Sequence, residues 1–216
     1  MSTLYGPQHR ALQQAFETEK LADRVAEFIV VNEVTDDHKG FIESRGLFFL
    51  TTIDHRGFPT CSHKGGAPGF VRVLDATTLA FPSYDGNGMF LSMGNIESNP
   101  KVGLLFIDFE TPHRVRVHGT ASIDRQDPLI DSFEGTELLV RVSIEEIFVN
   151  CPRYIHPHTR VGLSKYTPGG DTDVTPQWKR IDGLRDVIPA RDADVVDALG
   201  SITPEEYEAL VRAGKG

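Results

Sequence analysis

Cysteine, tryptophan and positive charge are scarce in this chain. Its 216 residues hold 2 Cys, 1 Trp, and 22 Lys and Arg against 31 Asp and Glu, a formal charge of −9. Two thiols, Cys61 and Cys151, cannot build a disulfide framework, and a reduced, cytoplasmic protein is expected. The acidic total argues against a nucleic-acid partner, which would call for a basic face, yet it leaves room for a local pocket that takes a small anion. No run of about eighteen apolar residues occurs, so neither a spanning helix nor a membrane partner is expected. The opening MSTLYGPQHR lacks the apolar stretch of a secretory signal. Internal repeats and low-complexity tracts are missing as well.

What remains is an ordinary globular composition, 39 % hydrophobic and 25 % charged, enough to bury a core in one domain, with or without an appendage. Residues 7 to 31 carry a 3.6-residue apolar stripe through Leu12, Phe16, Leu21, Val25 and Phe28, which predicts one or two helices. A short polar helix over 36–45 ends at Gly46. The period then changes to two. GLFFLTTID (46–54) turns through His55, Arg56 and Gly57 into a strand from Phe58, a hairpin. Further strands are predicted at 69–74, 77–82, 101–109, 112–123 and 137–149, with a helix over 88–98 that Pro100 ends. Six or more antiparallel strands with peripheral helices predict a mainly β (α+β) protein whose sheet forms a closed or nearly closed barrel. The expected organisation is helices packing on the barrel in 1–45, the barrel in 46–149, and an arm with helices in 150–216 that belongs to the same domain. Thr203, Pro204 and Glu206 spell a capping box at the start of the last helix.

The stretch CSHKGGAPGFVRV (61–73) is the first place where chemistry could sit. Alternation puts Ser62 and Lys64 on one face of the strand, Cys61 and His63 on the other, and Cys61 is expected to be a buried core thiol. The glycines that follow suit either a plain turn or the close approach of an anion to backbone N–H groups. Strand 112–118 offers Arg114, Arg116 and His118 on one face. If the two strands meet at one groove, a hydroxyl, an ammonium and two guanidiniums converge on a dianion; otherwise the charges form a solvated polar face. The helix over 88–98 points its N-terminus away from a Gly-Asn-Gly turn, another place for an anion or simply a turn. Cys151, His156 and His158 match no common zinc spacing, and no metal is expected.

The order FFLTTIDHRGFPTCSHKGGAPGFVRV, LAFPS, SMGNIESNPKVGLLFID, HRVRVHGTASI resembles the pyridoxamine 5′-phosphate oxidase-like family of FMN-binding split β-barrels. The arm NCPRYIH and PQWKRIDGLRDVIP is similar to a bacterial subgroup of that family. The resemblance implies a homodimer with FMN between subunits and an FMN-dependent oxidoreductase acting on a small-molecule substrate. By position it places cofactor contacts at Ser62, His63, Lys64 and Gly65, then near Phe81 at Pro82 and Ser83. Where the family has a basic pair for the phosphate, this chain has Leu91 and Ser92, so Lys64 or a neighbouring arginine would supply the charge. Arg114 and Arg116 fall at flavin-contacting positions, and the arm would send Trp178, Lys179 and Arg180 to the partner's flavin. Their spacing differs from that of true pyridoxamine phosphate oxidases, so vitamin B6 chemistry is not implied. Arg153 and Tyr154 would line the substrate pocket, or the segment would only pack the arm on the barrel. No catalytic acid or base is implied. The alternatives are a flavin-binding, storage or sensing protein without turnover, a reductase using deazaflavin F420, and haem binding through a residue such as His118.

Overall fold

The computed structural model describes residues 4–169 and 174–216, so residues 170–173 of the predicted arm lie outside the described residues. The chain forms two compact units, Met1–Leu163 and Ser164–Gly216.

In the first unit, helices α1 (Pro7–Ala15) and α2 (Glu19–Ile29) lead to a two-residue strand β1 (Val30–Val31) and helix α3 (Asp36–Glu43). Seven longer strands follow: β2 (Leu47–Ile53), β3 (Pro59–Gly65), β4 (Arg72–Asp75), β5 (Thr78–Tyr84), β6 (Lys101–Asp108), β7 (His113–Asp124) and β8 (Thr136–Asn150), with helix α4 (Leu91–Ser98) between β5 and β6. All pairs are antiparallel, in the order β3-β2-β6-β7-β8-β5-β4, with β1 on β8.

Alternation shapes each strand. Along β2, Phe48, Leu50 and Thr52 are buried while Leu47, Phe49, Thr51 and Ile53 are half-buried. The buried set meets Leu104 and Phe106 of β6, Val115 and Val117 of β7, and Phe81 of β5 in one core. Phe48 lies 5.1 Å from Phe106 and 5.0 Å from Phe81, ring centre to ring centre. Three strands separate β2 from β5 in the sheet, so that second contact requires the sheet to curl round onto itself. It does not close by hydrogen bonding. The two end strands, β3 and β4, are consecutive in the chain and unpaired with one another. The result is the expected split barrel, nearly closed, with an open seam bridged by residues 66–71.

Local chemistry fixes the corners. The Asp54 carboxylate accepts hydrogen bonds from the Arg56 and Phe58 amides, both at 2.9 Å, and Gly57 takes φ +86°, which folds the β2–β3 hairpin. Pro82 sits inside β5 without breaking the sheet, because β4 pairs with β5 only as far as Ala80 and nothing on that side needs its missing N–H. Helix α4 starts at Leu91 rather than 88, since Phe90 takes a left-handed φ of +47° as its N-cap.

Outside the barrel, Phe133 packs on Ala80 and Leu139, and the Arg72 guanidinium lies 3.6 Å over the Phe133 ring. Next to this patch, Arg141 donates to the buried Asp127 carboxylate at 2.5 and 2.9 Å. Those hydrogen bonds hold Asp127 below the usual carboxylate range. A depressed folded value means the pair's stabilisation is complete above the unfolded value of about 3.9 and is lost as pH falls through the folded one. Asp127→Asn should therefore lower stability at neutral pH and flatten the acid limb of a denaturation-versus-pH curve. An unchanged acid limb would show that the pair is uncoupled from folding.

Of the helices expected on the barrel, α3 delivers Ile42 into the core. Helices α1 and α2 instead meet through polar contacts, Arg10 with Asp23 at 2.6 Å and the Tyr5 hydroxyl on the Ala22 carbonyl at 3.1 Å. Their apolar stripe, including Phe16 and Phe28, faces outward.

In the second unit, single 3-10 turns at Gln177–Arg180 and Asp182–Leu184 precede α5 (Ala190–Leu199) and α6 (Pro204–Arg212). The capping box forms: the Glu206 amide donates to Thr203 Oγ1 and the Thr203 amide to Glu206 Oε2. Helix α5 was not anticipated from the sequence. No helix among the described residues is long and apolar enough to cross a membrane.

Candidate functional site

Strand β3 is an end strand, and its inward face carries Thr60, Ser62 and Lys64 towards helix α4. Three hydrogen bonds seat the helix there. Asn95 Nδ2 donates to Thr52 Oγ1 at 3.0 Å and to Thr60 Oγ1 at 2.8 Å, and Ser92 Oγ donates to Ser62 Oγ at 3.1 Å. Ser92 and Asn95 are both buried. One strand position beyond the serine pair on the same face stands Lys64, half-buried, and burial pushes its ammonium below the usual lysine value. Among the described residues no carboxylate pairs with it. Helix α4 also begins without a side-chain cap, which leaves its first-turn amides free for an acceptor. An ammonium without a carboxylate partner among the described residues, two hydroxyls and an uncapped helix start are groups that can cradle a phosphate.

The glycines beside it answer to the fold. Gly69 takes φ +89°, and a Cβ at Gly66 would stand 2.5 Å from the Phe70 ring, which fills the seam end of the core. The run is a turn that lets Phe70 turn inward. Gly65, paired with Leu47, ends the strand, and exposed His63 meets the edge of Phe49 on the outer face at 6.1 Å.

One expected convergence does not occur within a chain. Register carries Ser62 across Leu50 and Leu104 to Val117, an inward row, while His63 runs across Phe49 and Leu105 to Arg116, an outward row. Arg114 and Arg116 thus project from the opposite side of the sheet to Lys64. The parity of strand residues forbids the meeting. Arg116 lies over the Phe148 ring at 5.6 Å. Arg114 Nε and its cross-strand neighbour Asn150 Oδ1 are both buried without a partner among the described residues. Cys61 is likewise corrected from buried to exposed, because it points to the outer face of an end strand, which no described element covers.

The remaining residues are placed as follows. Pro82 and Ser83 lie on β5 opposite Leu139 and Leu138, and no hydrogen bond among the described residues joins Ser83 to the cradle. Tyr154 is 86 % exposed with φ +69°, and it does not pack the arm on the barrel; Arg153 beside it is exposed too. In the second unit the Lys179 ammonium is buried on Asp192, 3.0 Å from each oxygen, and lies 5.9 Å from the centre of the Trp178 ring. Arg180 donates to the Leu199 and Gly200 carbonyls at 3.0 and 2.8 Å, so both cations already hold α5 in place. His158 packs edge-on against Phe109, and no cluster of three metal-ligating side chains occurs among the described residues. Two features escaped the sequence reading: the Asn95 anchor, and a hydrogen bond of 2.6 Å between His118 Nδ1 and Glu146 Oε1. The first had a signal in a polar residue at the apolar spacing of α4. The second depends on a register shift between His118 and Gly119 that no local pattern reveals.

The fold defines a split-barrel protein. A family model described as pyridoxamine 5′-phosphate oxidase matches residues 34–151, more than half of the chain, and the protein belongs to that family. No curated protein matches it. Among solved structures, HupZ of Group A Streptococcus is 22 % identical over 54 % of this chain and 93 % of its own, with a TM-score of 0.45. An FMN-binding protein of Syntrophomonas wolfei is 13 % identical over 65 % and 97 %, with a TM-score of 0.42. An F420 reductase is 19 % identical over 53 % and 98 %, with a TM-score of 0.41.

Proposed function

We propose that this protein is an FMN-dependent oxidoreductase acting on a small organic molecule, and that it works as a homodimer with flavin at the subunit seam. The observation that supports this most is the Lys64 cradle: a half-buried cation with no acid partner among the described residues is costly unless a ligand brings the countercharge. Lys64, Ser62, Ser92 and the first-turn amides of α4 would hold the terminal phosphate. Family membership supports the same reading. When bound, the flavin supplies hydride transfer, and the chain's part is to hold it, orient it and limit its contact with water. Homodimerisation is supported by the outward arginines, whose buried Arg114 Nε lacks an acceptor that a second subunit or its ligand could offer.

The purified protein should take up FMN through gel filtration, turn yellow, and sediment as a dimer. NADH or NADPH should reduce the bound flavin faster than free FMN. A protein that stays colourless contradicts the proposal. Bound flavin that neither nucleotide reduces faster would make the chain a carrier, and a deazaflavin mass in heat-released chromophore would replace FMN by F420.

A further inference from the structure

Helices α1 and α2 form a hairpin that is inside out. Its inner contacts are polar: Arg10 meets Asp23 at 2.6 Å, donates to Gln13 at 2.9 Å and lies 4.8 Å over the centre of the Tyr5 ring. Helix α1 buries no residue and α2 buries only Ala26. The large apolar side chains point the other way, with Leu12, Phe16, Leu21, Val25 and Phe28 between 41 % and 76 % exposed. At 9 and 11 residues, both helices are shorter than those that stand alone in water. Helices of this length depend on packing an apolar face, and among the described residues this face is left largely uncovered.

The size of the stripe and the charges along its edge indicate what covers it. The five side chains expose roughly 500 Å² of apolar surface. Each partner in a stable complex buries about 800 Å², a little over half of it apolar. The stripe alone supplies that apolar share. Helical spacing puts Lys20, Arg24 and Glu27 on one edge of the α2 stripe. Lys20 has no ion-pair partner among the described residues, and Glu27 meets only Arg24, at 3.2 Å in an exposed pair of little worth. An edge with a cation near one end and an anion near the other is complementary to itself when turned end for end. An antiparallel two-fold pairing of α2 therefore brings Lys20 to the partner's Glu27 and Leu21 to the partner's Phe28. An anionic lipid surface offers no such match to a mixed edge on a chain of charge −9.

We propose that the α1–α2 hairpin is a surface through which two copies of this chain meet, their stripes closing face to face into a four-helix bundle. This rests on the homodimer reading above and names a contact that holds the pair together. Bound flavin is not needed for it.

The test is sedimentation equilibrium of the full chain, without FMN and at saturating FMN. A dimer is expected in both conditions. Phe16→Glu with Phe28→Glu should raise its dissociation constant by about 100-fold or more. The circular dichroism spectrum should stay unchanged, because both rings are already exposed within the subunit. Lys20→Glu should weaken the dimer by about threefold or more, and adding Glu27→Lys should restore it. A dimer whose dissociation constant is unchanged in the ring variant overturns the inference and leaves the flavin reading standing. If that variant also unfolds at a lower temperature, the stripe belongs to the chain's own second unit. A dimer that responds as expected but never takes up FMN upholds the inference and overturns the flavin reading. An unaltered chain that is monomeric overturns the inference together with the homodimer, and its pelleting with phosphatidylglycerol vesicles would assign the stripe to lipid.

Discussion

Lys64→Met combined with Ser92→Ala should lower FMN affinity by roughly 30- to 1600-fold. A charge-assisted hydrogen bond contributes about 1.5–3 kcal/mol and a neutral one about 0.5–1.5 kcal/mol, and each 1.4 kcal/mol is about tenfold. Methionine keeps the length and the apolar stem of Lys64 while removing a charge that burial already disfavours. The Lys64→Met change should therefore cost the barrel no stability, and Ser92→Ala should cost only the Ser92–Ser62 bond, about 0.5–1.5 kcal/mol. Riboflavin, which lacks the phosphate, separates the cause: the double variant should bind it as well as the unaltered protein does. Fluorescence quenching of each flavin measures both affinities. Equal FMN affinity in the two proteins would place the phosphate away from β3.

Gly119→Ala should be the most damaging single-methyl change in the sheet, at about 3 kcal/mol or more. The register between β7 and β8 slips at this residue, from His118 opposite Glu146 to Gly119 opposite Ile144. A Cβ there would meet the Ser143 carbonyl oxygen at 2.3 Å and Val142 Cγ1 at 2.8 Å. The obstacle is backbone inside a paired strand, so no rotamer relieves it. For a chain of this size the melting temperature should fall by about 6–12 °C, readable by circular dichroism. A melting temperature within about 2 °C of the original would mean that the bulge of β8 can move aside at little cost.

Much of this fold was legible because two-residue alternation is a local signal. Val115, Val117 and Gly119 fall inward, with Arg114, Arg116 and His118 on the other face, as the spacing predicts. Leu138, Val140, Val142 and Ile144 are likewise buried. The capping box at Thr203 forms because all its parts lie within four residues. The stripe of α1 and α2 announced both helices, but periodicity reports that a face is apolar and says nothing of what covers it. The site was legible in half. Ser62 and Lys64 share one face of β3 and Ser92 of α4 meets Ser62, but joining Lys64 to Arg114 and Arg116 needed the register of three intervening pairings. That register is a property of the assembled sheet. Helix α5 escaped because aspartates interrupt its small and apolar residues, and Lys179 gains its meaning only from Asp192, thirteen positions on.

Strand β8 pairs with β1, β5 and β7, drawing together partners from both halves of the first unit. On the ribosome, β5 must therefore wait for its neighbour until more than fifty further residues have been made. Until then it has only the short β4 to pair with, and only as far as Ala80. The β2–β3 hairpin needs only its own turn, so the nascent chain acquires one side of the barrel early and the other late. The interval between them is when this protein most needs a chaperone.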